Sequence, residues 1–385
     1  MSHETIHGHV APGYEVVQDA FAANFAVHDE LGAAFAAYVD GAPVVDLWGG
    51  TAVASDGRAW TRETLQLIFS GTKGLVASAI LLLVDRGLLE LDAPVARYWP
   101  EFGAAGKSRI TVGDALSHQA GLPSIAEPVT YDDVLDDRAM AERLARQAPL
   151  WPGQQRVAYH SLTYGWLAGE IVRRVAGVSV GRLFADEIAR PLELDAWIGL
   201  PEREEPRVST IELHASFRSF WDEAMRSEEL ARISGNPFLF AEPLFWNRPA
   251  AHRAEIPGAG GIASARAVAA LYGCLACGGE LAGTRLLSRQ AIAAGVAERV
   301  RGVDPFRDER LAFGSGFQLQ TRDALLGPVL DAFGHGGAGG SMHGAWPGKR
   351  TGFSYTMNQM RDETTDERAR LLLASLYTAV TSARP

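Results

Sequence analysis

A chain of 385 residues that is 47% hydrophobic and 21% charged can bury a large core, which excludes a disordered or fibrous protein. A formal net charge of -10, with no long block of one sign, excludes the basic face that nucleic acid requires. The longest strongly apolar run, Leu75 to Val84, is too short to span a bilayer, and residues 1–9 have neither the basic start nor the apolar core of a secretory signal, so the expectation is a cytoplasmic protein with no membrane partner.

His3, His7 and His9 have no downstream carboxylate or cysteine partner, and read as a polar tail, not a metal site. Tyr14 to Phe25 has helical spacing. Ala33 to Val39 and Pro43 to Trp48, joined at Asp40-Gly41, predict a hairpin. Ile68 and Phe69 read as extended, and the apolar run after Ser70 predicts a helix ending near Asp85, with Gly87 as its stop. Further on, Thr111 and Asp114 form a capping-box pattern, Tyr131 to Arg146 a charged amphipathic stretch, and Thr163 to Val175 an apolar helix.

Gly177-Val178-Ser179-Val180-Gly181 imitates a hydrolase elbow, but a helix precedes it, so Ser179 reads as the cap of a helix from Val180 to Ala189. Residues 201–257 are rich in charge and bulky aromatics and read as an insertion that covers something. Ser264 to Cys277 predicts a helix, and with no second pair Cys274 and Cys277 read as small residues near its end. Phe313 to Leu319 and Gly352 to Met357 read as strands around a glycine-rich segment, and Thr365 to Ser382 as a closing helix. The order implies an α/β fold with a mainly antiparallel sheet flanked by helices. Residues 1–85 and 262–385 supply the sheet domain, and 86–261 are an inserted, mainly helical domain over the active site.

Ser70 and Lys73 carry the first chemical signal. Three residues apart on a helix they share a face, and an amine in apolar surroundings loses its proton easily enough to activate a hydroxyl. The alternative is an ordinary cap followed by a solvated lysine. The chain holds only three lysines, so one at this position favours catalysis.

Ser70-Gly71-Thr72-Lys73, Tyr159-His160-Ser161 and His335-Gly336-Gly337, in this order, resemble the three motifs of the serine β-lactamase and penicillin-binding-protein superfamily, and within it the family VIII carboxylesterases related to class C β-lactamases. The segment Ser117 to Pro123 is similar to a family turn. The resemblance implies a β-lactamase-like fold, Ser70 as acyl-forming nucleophile, Lys73 and Tyr159 as the proton-handling pair, and the N–H groups of Ser70 and Ala338 as the oxyanion hole. It implies no metal and no cofactor. A phenol beside an ammonium should have a lowered pKa, so Tyr159 is expected to shuttle a proton.

His335 and Gly336 stand where β-lactamases usually carry lysine and threonine, and Ser161 where they carry asparagine. Both departures remove polar grip on an anionic lactam and favour an uncharged small-molecule ester. His335, Gly336, Gly337 and Ser161 are candidate substrate-binding residues, with Trp221, Trp246 and Trp346 as candidate pocket walls. The rival assignments are a related acyl-transfer enzyme on amides or lactams, a Ser70–His335 triad with an aspartate, and a non-catalytic binding protein of the same fold.

Overall fold

The computed structural model describes residues 6–154 and 156–382; His3 lies outside the described residues. Its frame is an antiparallel sheet in the order His7–Val10, Ala42–Val53, Gly32–Val39, Thr351–Met357, Ser341–Trp346, Phe333–Gly337, Gln318–Leu319, Arg310–Phe313, Val300–Val303. The strands thus come from residues 7–59 and 300–357, Arg58–Ala59 joining the long strand Ala42–Val53 from the side. The hairpin forms as predicted because Asp40 (φ 51°) and Gly41 (φ 82°) both take the left-handed conformation of a tight two-residue turn.

Three expectations need correction. His7 and His9 belong to an edge strand paired with Val45 to Trp48, and the His7 ring stacks on Trp48. The stretch Phe313 to Leu319 is two strands, because Gly314 to Phe317 close a turn in which Gly316 has φ 97°. Tyr131 to Arg146 is two helices, Tyr131–Val134 and Asp137–Arg146, the second capped anew by Asp136, whose side chain accepts from the Ala139 N–H.

Side chains alternate across the sheet. Ala33, Phe35 and Ala37 meet the helices Glu15–Val27 and Arg368–Ser382 on one face, while Ala34 and Ala36 meet helix Ala265–Ala276 on the other. At its closest that second contact is backbone on backbone: a Cβ on Gly352 would lie 2.0 Å from the backbone nitrogen of Gly273. Beyond this helix lies Thr72–Asp85, buried at every position from Thr72 to Leu83, which is why its sequence is apolar on all sides. Residues 196–263 return to it through a small sheet, Gln66–Leu67 with Gly261–Ala263 and Ala196–Ile198. Among the described residues no helix is long and apolar enough to cross a membrane.

Candidate active site

Ser70 sits between strand Gln66–Leu67 and helix Thr72–Asp85. Phe69 makes the corner with φ 45°, a conformation that costs a bulky residue about 1–2 kcal/mol. Its ring offsets this by packing against Trp246 (5.4 Å between centroids) and Phe240 (5.9 Å). The Thr72 hydroxyl ties the corner down, donating to the Phe69 carbonyl and accepting from the Gly261 N–H.

One turn on, Lys73 is fully buried. Its Nζ lies 3.1 Å from Ser70 Oγ, 2.8 Å from the Ser161 carbonyl and 2.7 Å from the Gly258 carbonyl, and among the described residues no carboxylate is within ion-pair distance. Burial, and after it the charge of Arg307, pushes its pKa well below that of a free lysine. The two carbonyls hold two of its N–H groups, so the remaining tetrahedral direction faces Ser70. As an ammonium the nitrogen donates there; as an amine it accepts the serine proton.

The Tyr159 hydroxyl lies 2.9 Å from Ser70 Oγ, and Lys73 Nζ stands 4.9 Å from the centre of the phenol ring. Tyr159 is anchored by its N–H, which donates to Asp304 Oδ2 at 2.6 Å, and the other oxygen of that carboxylate accepts from the N–H groups of Phe306 and Arg307. The His118 ring packs beneath at 4.7 Å between centroids. His118 also accepts from the His160 N–H on Nδ1, while His160 Nε2 accepts from the Leu122 N–H, so the turn Ser117 to Pro123 is clamped to the tyrosine's loop.

Tyr159 overturns one expectation. Burial raises its pKa above that of free tyrosine, outweighing the pull of the Ser70 hydrogen bond and of Arg307. Both groups are thus shifted toward their neutral forms, the phenol holding its proton and the amine losing its own more readily than a free lysine.

The third motif is the hairpin Phe333–Gly337 to Ser341–Trp346. A Cβ on Gly337 would lie 2.4 Å from the Ile68 carbonyl, so the hairpin rests directly on the chain leading into Ser70, with Ala338 next in the turn. Gly339 fixes that turn: its N–H donates to Glu363 Oε1 at 2.8 Å and its carbonyl accepts from the Arg361 N–H at 3.0 Å. His335 Nδ1 is 2.6 Å from the Gly336 carbonyl, which makes Nδ1 the protonated nitrogen and turns Nε2 toward the Tyr159 hydroxyl at 3.5 Å. Burial, then Lys73, pushes its pKa down to about 3, so the ring is neutral. Among the described residues no hydrogen bond joins His335 to Ser70 or to a carboxylate, so the triad arrangement is not formed.

Ser161 joins the group through its carbonyl on Lys73 and through its Oγ, which accepts from Arg307 Nη2 at 2.9 Å. Trp221 and Trp246 belong to an aromatic panel with Phe217, Phe238 and Phe240, built from the aromatic insertion, that reaches Ser70 through Phe69. Trp346 does not join them. It is fully buried on the opposite face of the sheet against Phe353 and Tyr377, its indole N–H donating to the Leu326 carbonyl at 2.7 Å. Strand parity explains this: Ala345 faces the central helix, so its neighbour Trp346 cannot.

Arg307, Asp304 and His118 escaped the sequence reading as site residues. Only His118 had a signal, the segment Ser117 to Pro123; the turn holding Asp304 and Arg307 has no periodicity to mark it. Gly258 was noted only as part of a glycine run, yet a Cβ there would lie 2.8 Å from the Leu162 carbonyl, a closeness that brings its own carbonyl to Lys73. Ser179 accepts from the Arg182 N–H and bonds Glu255, as a cap does. Burial raises both thiols, that of Cys274 up to about 12, which makes them poor nucleophiles.

Compared with known proteins, residues 17–377 match the family model described as Beta-lactamase. The chain is 38% identical over 364 residues to a Mycobacterium tuberculosis protein named Esterase/beta-lactamase LipL, covering 91% of this chain and 82% of that one. It is similar to the crystal structure of a family VIII carboxylesterase, with a TM-score of 0.91 at 39% identity over 97% of this chain and 100% of that one. A penicillin-binding protein homolog from Caulobacter crescentus gives a TM-score of 0.88 at 37% identity, over 97% and 100% of the two chains.

Proposed function

We propose, from the premise that this chain belongs to the Beta-lactamase family, that it is a serine esterase cleaving small carboxylic esters through an acyl-Ser70 intermediate. The observation that carries the reading is the meeting of three groups remote in sequence: Ser70 Oγ has Lys73 Nζ at 3.1 Å and the Tyr159 hydroxyl at 2.9 Å. Lys73 as amine takes the Ser70 proton while Oγ bonds the ester carbonyl carbon. The developing oxyanion is received by the N–H groups of Ser70 and Ala338. As the tetrahedral intermediate collapses, the carbon–oxygen bond to the alcohol breaks, Tyr159 gives its proton to the departing alkoxide, and the Lys73 ammonium restores it. Water then attacks the acyl carbon, its proton leaving by the same pair, and Ser70 is released.

A neutral His335, a glycine at 336 and the likeness to a family VIII carboxylesterase support an ester over a lactam. The test is a stopped-flow burst with 4-nitrophenyl butyrate, with an amide and a lactam run beside it. Ser70→Ala is expected to abolish the burst and lower turnover about a thousandfold or more. An undiminished rate in that variant ends the proposal, and faster lactam or amide turnover by the unaltered protein moves the substrate class.

A further inference from the structure

Arg307 is a cation at the site that carries no proton and binds no reacting atom in the proposed reaction, acting on Lys73 only through its charge. Arg307 is half-buried, its guanidinium 5.2 Å from the Tyr159 ring centre, and among the described residues its side chain makes a single hydrogen bond, from Nη2 to Ser161 Oγ at 2.9 Å. Among the described residues it has no carboxylate within ion-pair distance. The acids nearby are otherwise arranged: Asp304 is occupied by three backbone N–H groups, Glu363 accepts from Gly339, and Glu309 acts on Arg307 only from beyond pairing distance. The remaining charged or titratable neighbours, Lys73, His118 and His335, are groups that burial holds toward neutrality.

A guanidinium offers five N–H donors in a planar fork suited to a carboxylate, and here one is spent on Ser161. Because Ser161 Oγ accepts from Arg307, its own O–H is left to donate, giving a second group beside the fork. A protein of net charge -10 has no general attraction for anions, so a cation above the proton-donating tyrosine acts locally.

We infer that Arg307 is a specificity-determining residue, and that the preferred esters carry a carboxylate which its guanidinium binds beside Ser161. This rests on the esterase reading and reverses one sequence expectation, that the site prefers an uncharged ester: the grip lost from the third motif is supplied by a turn outside all three motifs. The carboxylate belongs either to the acyl group or to the alcohol, and substrate pairs distinguish the two.

For the acyl side, kcat/KM is measured for mono-4-nitrophenyl glutarate and 4-nitrophenyl butyrate; for the alcohol side, for 4-carboxyphenyl butyrate and phenyl butyrate. In Arg307→Gln the anionic-to-neutral ratio is expected to fall at least about tenfold in one pair, with Arg307→Lys recovering part of it. An effect of Arg307 on Lys73 or on folding would change both members of a pair alike, so the ratio isolates recognition. Ratios within about twofold of the unaltered protein in both pairs overturn the inference while leaving the esterase reading intact. Loss of all ester turnover in the unaltered protein overturns the reading beneath it.

Discussion

Two buried cations, one at the floor of the site and one behind the glycine hairpin, show how burial leads to opposite outcomes. Lys73 is surrounded by neutral oxygens, those of Ser70, Ser161 and Gly258, and its pKa falls. Arg368, equally inaccessible, bonds Glu30 at 2.6 Å, Asp366 at 2.8 Å and the Gln359 carbonyl at 3.0 Å, while the Tyr355 hydroxyl completes Glu30. Burial opposes its charge too, but the anions outweigh burial and raise its pKa further. Desolvation is common to both; the partners decide whether the charge stays. Chemistry needs the cation that can let go, and the hairpin needs the one that cannot.

Lys107 refines the contrast. It is buried with its ammonium on the carbonyls of Ala104, Ala145 and Gln147, and burial lowers its pKa to about 8. What it lacks is a hydroxyl to deprotonate. Lys73→Met is therefore expected to lower kcat for an ester by about 10²–10⁴-fold, and Lys107→Met to leave it within about threefold while lowering the urea midpoint. Equal losses of kcat in the two variants would break the distinction.

Arg368→Met leaves Glu30 and Asp366 buried without their cation, and is expected to cost about 3–5 kcal/mol in urea unfolding, more than Lys73→Met, which strands no charge. The smallest effect is a displacement along the pH axis. Lys73 accepts the serine proton only when deprotonated, so kcat/KM should fall as pH drops through its lowered pKa. Arg307→Gln removes a cation that depresses that pKa, and the acid limb should move to higher pH. Stability follows the same sign: between the folded and unfolded pKa of Lys73 the unfolded chain binds more protons, so its contribution grows as pH rises. A limb that stayed fixed in Arg307→Gln would show the arginine too well screened to tune the base.

What was legible in the sequence was local or ordered. Ser70 and Lys73 lie one helical turn apart, so their contact follows from helix geometry alone, and the hairpin at Asp40-Gly41 follows from turn chemistry. Tyr159 and the His335-Gly336-Gly337 motif were found by their order along the chain, which is a resemblance and carries no distance. Arg307 reaches Ser161 across 146 positions from an aperiodic turn, and only the folded sheet brings them together. Trp346 was misplaced because Met342 to Trp346 shows no apolar alternation from which its side of the sheet can be read. The sign of the Tyr159 shift was missed because a sequence supplies the neighbouring charge but not the depth of burial that outweighs it.

The glycine contact beneath the site fixes a height. Gly352 in the sheet touches Gly273, the adjacent Tyr272 hydroxyl would lie 2.1 Å from a Cβ on Gly74, and Gly74 follows Lys73. Three layers are thus stacked like machined plates, backbone on backbone at the first joint and through one buried tyrosine ring at the second. A single methyl at 352 would act as a shim, shifting serine and base together against the carbonyls of Ser161 and Gly258 from a position that touches neither.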